Sequence, residues 1–213
     1  MRVNNLKILV IAAIAVLSIA ACSGGKEQAH EDAKLPYMGR HDYSVNDTVY
    51  HTIADFKFLN QDSNWVTNET FKGKMYIADF FFTTCPTICP KMDAQMLRIY
   101  DSIQNDDDIA LLSYTIDPKH DSVAVLREFA EKLGVTSDKW QFLTGNKDEI
   151  YKLGQTSYMV NASEDPSEPG GYIHSGAFIL VDKDRRIRGI YDGTIPDKVN
   201  ILLHDIQVLR EKG

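Results

Sequence analysis

The sequence predicts an α/β domain with a mixed central sheet flanked by helices and an N-terminal β-hairpin. Three observations carry this. The continuous apolar runs "KMYIADFFF" and "IALLSYTI" have the composition of strands buried on both faces. Amphipathic helical patterns follow each run, and that alternation produces parallel strands joined by crossovers. Near the end, "SGAFILVD" and "RIRGIYDG" are separated only by Lys183 to Arg185, so they pair as a hairpin.

Taken in order, "TVYHTIADFKFLNQDSNWVT" alternates around a turn signal at Asn60 to Asn64 and predicts the first hairpin. After "KMYIADFFF", Met92, Met96, Ile99 and Ile103 recur at steps of three and four, which gives a helix one apolar stripe. "DSVAVLREFAEKLG" is a helix closed by Gly134, "WQFLT" a short strand and "NKDEIYKLGQ" a further helix. The last helix, "PDKVNILLHDIQVLREK", opens on Pro196, where a missing N–H costs nothing. This order is that of a thioredoxin-like fold. A doubly wound nucleotide-binding fold would need a glycine-rich phosphate loop after a strand, and none is present.

Length and charge bound the rest. The 213 residues are 44% hydrophobic, enough for one globular domain with a short extension. A formal charge of −7 lacks the basic footprint of a nucleic-acid binder. The opening "MRVNNLKILVIAAIAVLSIAA" places Arg2 and Lys7 before an apolar run, the plan of a secretory signal. Ile19-Ala20-Ala21-Cys22 resembles the bacterial lipobox, which predicts a signal over residues 1–21 and a lipid on Cys22. Cleavage leaves 21 basic against 30 acidic residues, a formal −9. Residues 22–44 are small and charged, as in a flexible tether, and 45–213 form the domain. The expected location is the cell envelope, outside the cytoplasm, where disulfides persist. The sequons at Asn68 and Asn161 stay silent in a bacterium.

The chemistry gathers at "TTCPTICP". The chain has three cysteines, and Cys85 and Cys89 lie four residues apart where a buried strand meets a helix. Ligands in open α/β sheets collect at the carboxyl ends of parallel strands, so both sulfurs face that rim. Pro86 and Pro90 stiffen the loop at positions where helix N–H groups have no partner. Free N–H groups and the positive end of the helix favour thiolate over thiol. The four-residue step brings both side chains to one helical face, so both can meet one ligand. A purely structural disulfide is the plain alternative, although so short a loop restrains little chain entropy.

A third partner follows from topology. "SGAFILVD" is expected antiparallel to the other strands, so its beginning lies at the rim where the parallel strands end. That places His174 beside the cysteines, with Gly170 and Gly171 freeing its loop to approach closely. Of the six histidines, His30 and His41 fall in the tether, His51 in the first hairpin and His204 on the last helix. His120 is the rival, because "TIDPKHD" also follows a strand ending at this rim. Asp117 lies there too, as an acceptor for a ligand's free N–H or as a simple turn former.

"GKMYIADFFFTTCPTICPKM", "YTIDPKHDS" and "YIHSGAFILVDKDRRIRGIYDG", in this order, resemble the Sco/SenC family of copper-binding proteins that assist cytochrome c oxidase assembly. The likeness spans roughly Val45 to Gly213. It implies a membrane-anchored thioredoxin-like domain that binds copper, Cu(I) or Cu(II), through Cys85, Cys89 and His174. Soft thiolates suit Cu(I), and an imidazole also suits Cu(II). Implied partners are a copper-receiving oxidase subunit, other copper chaperones or thiol reductants, and a membrane held through Cys22. The function expected is an envelope copper chaperone. The alternative is a thiol-disulfide oxidoreductase with Cys85 and Cys89 as its redox pair, keeping oxidase-subunit cysteines reduced without need of His174. A peroxidase is a third reading, since "TTCPTICP" loosely resembles a peroxidatic loop.

Overall fold

The computed structural model describes residues 34–44 and 47–213. The signal at 1–21, Cys22, His30 and the tether up to residue 33 lie outside the described residues. No helix among the described residues is long and apolar enough to cross a membrane.

Seven strands form one mixed sheet in the order β2 (Trp65–Thr67), β1 (Lys57–Asn60), β5 (Trp140–Thr144), β4 (Ile109–Thr115), β3 (Met75–Phe81), β8 (Ala177–Val181) and β9 (Ile187–Asp192). The hairpin of β1 (Lys57–Asn60) and β2 (Trp65–Thr67) turns where the Asn60 side chain accepts from the N–H groups of Asp62 and Asn64, both at 2.9 Å. At the centre, β3 (Met75–Phe81) and β4 (Ile109–Thr115) run parallel through seven matched pairs, and every residue of both is buried. That burial is why these two segments read as unbroken apolar runs rather than alternating ones. β5 (Trp140–Thr144) runs parallel to β4 and antiparallel to β1.

The crossovers are α1 (Cys89–Ser102) and α2 (Val123–Leu133). In α1 the buried stripe of Met92, Met96 and Ile99 is the one spaced in the sequence. The Ser122 hydroxyl accepts from Val125 N–H at 3.4 Å to start α2, and Gly134 ends it at φ 75°, a left-handed conformation that glycine adopts without strain. Helix α3 (Lys147–Leu153), capped by Asn146, continues into a π turn at Gly154–Tyr158. β8 (Ala177–Val181) lies antiparallel to β3 and pairs with β9 (Ile187–Asp192) before α4 (Pro196–Lys212) closes the chain.

Two features depart from the expected plan. β6 (Ala162–Glu164) and β7 (Tyr172–His174) form a separate two-stranded sheet, where only a loop was expected. The stretch from Lys34, expected as tether up to residue 44, belongs to the same compact unit as the domain. Met38 N–H donates to the Ile187 carbonyl at 2.9 Å on the edge strand β9. Arg188, only 2% exposed, explains the attachment. Its guanidinium pairs with Asp182 at 3.0 Å, donates to the carbonyls of Leu35 and Pro36, and lies 4.3 Å from the Tyr37 ring centroid. The segment therefore satisfies a buried cation while covering a sheet edge.

Candidate metal centre

The carboxyl end of β3 delivers the first sulfur. β3 ends at Phe81, Ile116 N–H donates to the Phe81 carbonyl at 2.8 Å, and the chain then turns so that Cys85 N–H donates to the Phe82 carbonyl at 3.2 Å. Cys89 is the first residue of α1 and Pro90 the second, as expected where helix N–H groups need no intrahelical partner. β8 is antiparallel to β3, so the residues just before Ala177 return to the same rim. His174 ends β7 there.

The three side chains meet. His174 Nε2 lies 3.5 Å from Cys85 Sγ and 3.5 Å from Cys89 Sγ, and the three donor atoms all lie within 4.8 Å of one another. An ion bonded to thiolate or imidazole at about 2.0–2.3 Å holds opposed donors no more than about 4.6 Å apart, so the spread suits one ion with minor closure. Both cysteines are free, and they are buried to different degrees, Cys85 at 8% exposure and Cys89 at 3%. The Phe82 ring packs edge-on to His174 with centroids 5.5 Å apart and tilts against Tyr172 at 5.0 Å.

The two thiols are electrostatically unequal. A hydrogen bond from Cys89 lowers the Cys85 pKa to about 3, aided by His174 and by the N–H groups of Thr87 and Cys89, against the opposing effect of burial. The Cys89 thiol is pushed up by the same bond and by its own burial. One proton thus serves the pair, and it rests on Cys89. Burial raises Asp79 to about 7, opposed by the Ser113 hydroxyl that donates to it at 2.5 Å. Burial, then the charges of Asp79 and Cys85, raise Asp93 to about 7. His174 Nδ1 is buried with no hydrogen-bond partner among the described residues.

The other candidates fall elsewhere. His120 is not in the cluster: its Nδ1 donates to Asp121 at 2.9 Å. Asp117 accepts from His120 N–H at 3.4 Å and from the Tyr172 hydroxyl, again outside the group of three. His41 donates to the Tyr37 carbonyl, His51 to the Ser157 carbonyl at 2.7 Å, and His204 is exposed on α4. Sequence reasoning missed Asp79, Asp93 and Asp121. Asp79 and Asp93 could have been flagged as carboxylates inside an apolar strand and beside a helical apolar stripe.

Residues 45–208 match the SCO1/SenC family. The chain belongs to that family. Among solved structures, this SCO1/SenC member is similar to a SCO1/SenC family lipoprotein from Bacillus anthracis, with TM-score 0.69 and 28% identity over 75% of this chain and 95% of that one. It is similar to BsSco, described as a member of the Sco family of cytochrome c oxidase assembly proteins in which a disulfide switch was identified. There the TM-score is 0.66 and the identity 30%, over 76% of this chain and 95% of that one. Yeast Sco1 with copper bound matches at TM-score 0.59 and 25% identity, over 74% of this chain and 89% of that one. The thioredoxin-like architecture with its mixed sheet is the one these structures share.

Proposed function

We propose that this protein is a copper chaperone of the cell envelope that binds one copper ion through Cys85, Cys89 and His174 and helps load a cytochrome c oxidase subunit. The carrying observation is the convergence of two sulfurs and one imidazole nitrogen, drawn from three separate elements, within 4.8 Å. Two thiolates match Cu(I), and the added imidazole accommodates Cu(II), so one site serves both oxidation states. A three-donor site leaves a coordination position for an incoming partner ligand, which suits transfer by exchange. Copper here is cargo rather than a resident cofactor. Copper-bound yeast Sco1 and the oxidase-assembly description of BsSco support the reading, and the Bacillus anthracis relative supports lipid attachment. In this reading residues 1–21 are a signal and Cys22 carries the lipid.

A second reading has its own support: the reduced pair with one thiolate and one thiol is poised for disulfide exchange. The Cys85 thiolate would attack a partner disulfide and release one partner thiolate. Cys89, losing its proton, would then close the intramolecular disulfide and release the second. Two electrons and the Cys89 proton leave with the reduced partner. In this chemistry His174 makes and breaks no bond, and it only assists the larger effect of Cys89 in holding Cys85 as thiolate.

Titration of the reduced protein with Cu(II) separates the readings. The expected result is one tightly bound ion per chain with a sulfur-to-copper charge-transfer band, and His174→Ala weakens binding by about a hundredfold or more, a larger loss than removal of a supporting residue causes. Copper binding that His174→Ala leaves unchanged, together with full rescue of oxidase activity by that variant in a deletion strain, would overturn the chaperone reading in favour of disulfide exchange.

A further inference from the structure

Asp121 is a carboxylate at 0% exposure that copper ligation does not employ. It ends the loop after β4, one residue before the Ser122 cap of α2. Four donors converge on it. Oδ2 accepts from Thr83 N–H at 3.1 Å and from the Thr115 hydroxyl at 2.5 Å. Oδ1 accepts from the Thr83 hydroxyl at 2.5 Å and from His120 Nδ1 at 2.9 Å. The start of α2 does not require this arrangement, because Ser122 already supplies the cap. A carboxylate this deeply buried is tolerated only when its lone pairs are satisfied, so the four bonds act together.

Their direction matters more than their number. Two of the four reach across from the β4 side to Thr83, which stands two residues before Cys85. Between Thr83 and β3 lies Phe82, whose carbonyl holds Cys85 N–H and whose ring meets the His174 imidazole edge-on. Thr83 is therefore bonded to the frame by backbone and side chain at the point where the cysteine loop leaves the sheet. On the outer side the His120 imidazole, half exposed, covers Oδ1 and occupies the lone pair that water would otherwise take.

We propose that Asp121 is a positioning residue for the metal loop, which through Thr83 sets how Cys85 and Cys89 present their sulfurs to His174. For its ligand this rests on the copper reading; its effect on the metal-free thiols does not. Hydrogen-bond partners of a ligand itself are typically worth about 10–100-fold in metal affinity, and that range bounds the effect of Asp121, which acts one step removed through Thr83.

The test uses the full chain with Asp121→Asn, Thr83→Val and, as a control confined to the start of α2, Ser122→Ala. Three quantities are read: Cu(II) affinity, the sulfur-to-copper charge-transfer band, and the rate of thiol alkylation by iodoacetamide without metal. Asp121→Asn and Thr83→Val should each weaken Cu(II) binding about 10–100-fold, shift the band and change the alkylation rate, while Ser122→Ala moves none of them. Wild-type values of all three in folded Asp121→Asn and Thr83→Val overturn the proposal. If Asp121→Asn does not fold, Thr83→Val decides alone, because it keeps the carboxylate and the Thr83 N–H bond. If the wild type itself takes no Cu(II), the copper reading fails; alkylation in Thr83→Val then decides the positioning role, and an unchanged rate overturns it.

Discussion

Between about pH 5 and 8 the reduced, metal-free cysteine pair should carry one thiolate whose amount does not change with pH. The Cys85 pKa falls from 9.0 to about 3, first through the hydrogen bond from Cys89 and then through His174 and two backbone N–H groups, while burial opposes the shift. At about pH 6 a thiol with its ordinary pKa is ionised in roughly one molecule per thousand, whereas Cys85 is ionised in nearly all. Reactivity does not rise in proportion. Nucleophilicity declines with pKa at a Brønsted slope of about 0.4–0.5, so a drop of about six units costs each thiolate roughly 250- to 1000-fold. The two factors nearly cancel at about pH 6, and the absolute rate there is uninformative. The slope is informative.

Thiolate ultraviolet absorbance and the alkylation rate, each taken as the difference between wild type and Cys85→Ser, should vary less than about twofold across this range. An ordinary thiol would climb about a thousandfold over the same three units. Cys89→Ala, which removes the largest cause of the shift, should move the ionisation of Cys85 upward. A wild-type signal that rises tenfold per pH unit between about 5 and 8 refutes the shared-proton description. The same shifts set the sign of the stability response. Cys85 has a depressed pKa, so its contribution is fully present above 9.0 and is lost as pH falls toward about 3. Cys89 is raised, so its contribution is full below the ordinary value and declines as pH climbs above it. Taken by itself, the cysteine pair therefore contributes more stability to the metal-free domain as pH rises from about 3 to about 9, and less beyond.

Two further outcomes follow from neighbouring groups. Asp79 is raised to about 7 by burial, so its contribution is full below 3.8 and is lost as pH rises through about 7. In chemical denaturation, the advantage of Asp79→Asn over wild type should therefore grow by on the order of 2–3 kcal/mol between about pH 5 and 8, and a pH-independent difference would contradict it. Gly170 and Gly171 stand at φ 86° and 84°, but only at Gly170 would a Cβ meet the Phe82 ring, at 2.9 Å. Both alanine variants should lose about 1–2 kcal/mol in thermal melts, whereas only Gly170→Ala should also weaken Cu(II) binding, by pressing Phe82 toward His174; equal affinities would remove Phe82 from the account.

Most of the frame was legible because its determinants are local. The runs ending at Phe82 and Ile116 have no polar alternation to place at a surface, and Gly134 and Pro196 mark helix ends by backbone chemistry alone. The distant His174 was reachable by one step of topology, since a strand antiparallel to β3 must begin where β3 ends. What escaped has non-local causes. β6 and β7 are three residues each and are separated by "DPSEPGG", so neither carries a periodic signal. Residues 35–38 look like linker because nothing in them reveals the buried cation, Arg188, that binds the carbonyls of Pro36 and Leu35 from 152 and 153 positions away. Asp121 reads as the polar start of a helix, and its weight appears only when Thr83 and Thr115 arrive from two other strand ends.

The three candidate donors have supports of unequal firmness, and under the proposed function this would link copper handling to thiol chemistry. Cys85 and Cys89 sit on a loop and helix start joined directly to the main sheet, whereas His174 belongs to a two-stranded hairpin outside it. A two-stranded hairpin is marginal alone, so contacts at its end weigh heavily in its position. An ion gripping both sulfurs and Nε2 would stabilise the docked hairpin by mass action. Joining the sulfurs in a disulfide would withdraw two electrons and the thiolate charge, leaving the imidazole facing a weak acceptor. On the proposed copper reading, loading with copper and oxidation of the pair would then be mutually exclusive states of one rim. A partner that oxidises or reduces Cys85 and Cys89 would thereby set whether the rim can hold an ion at all.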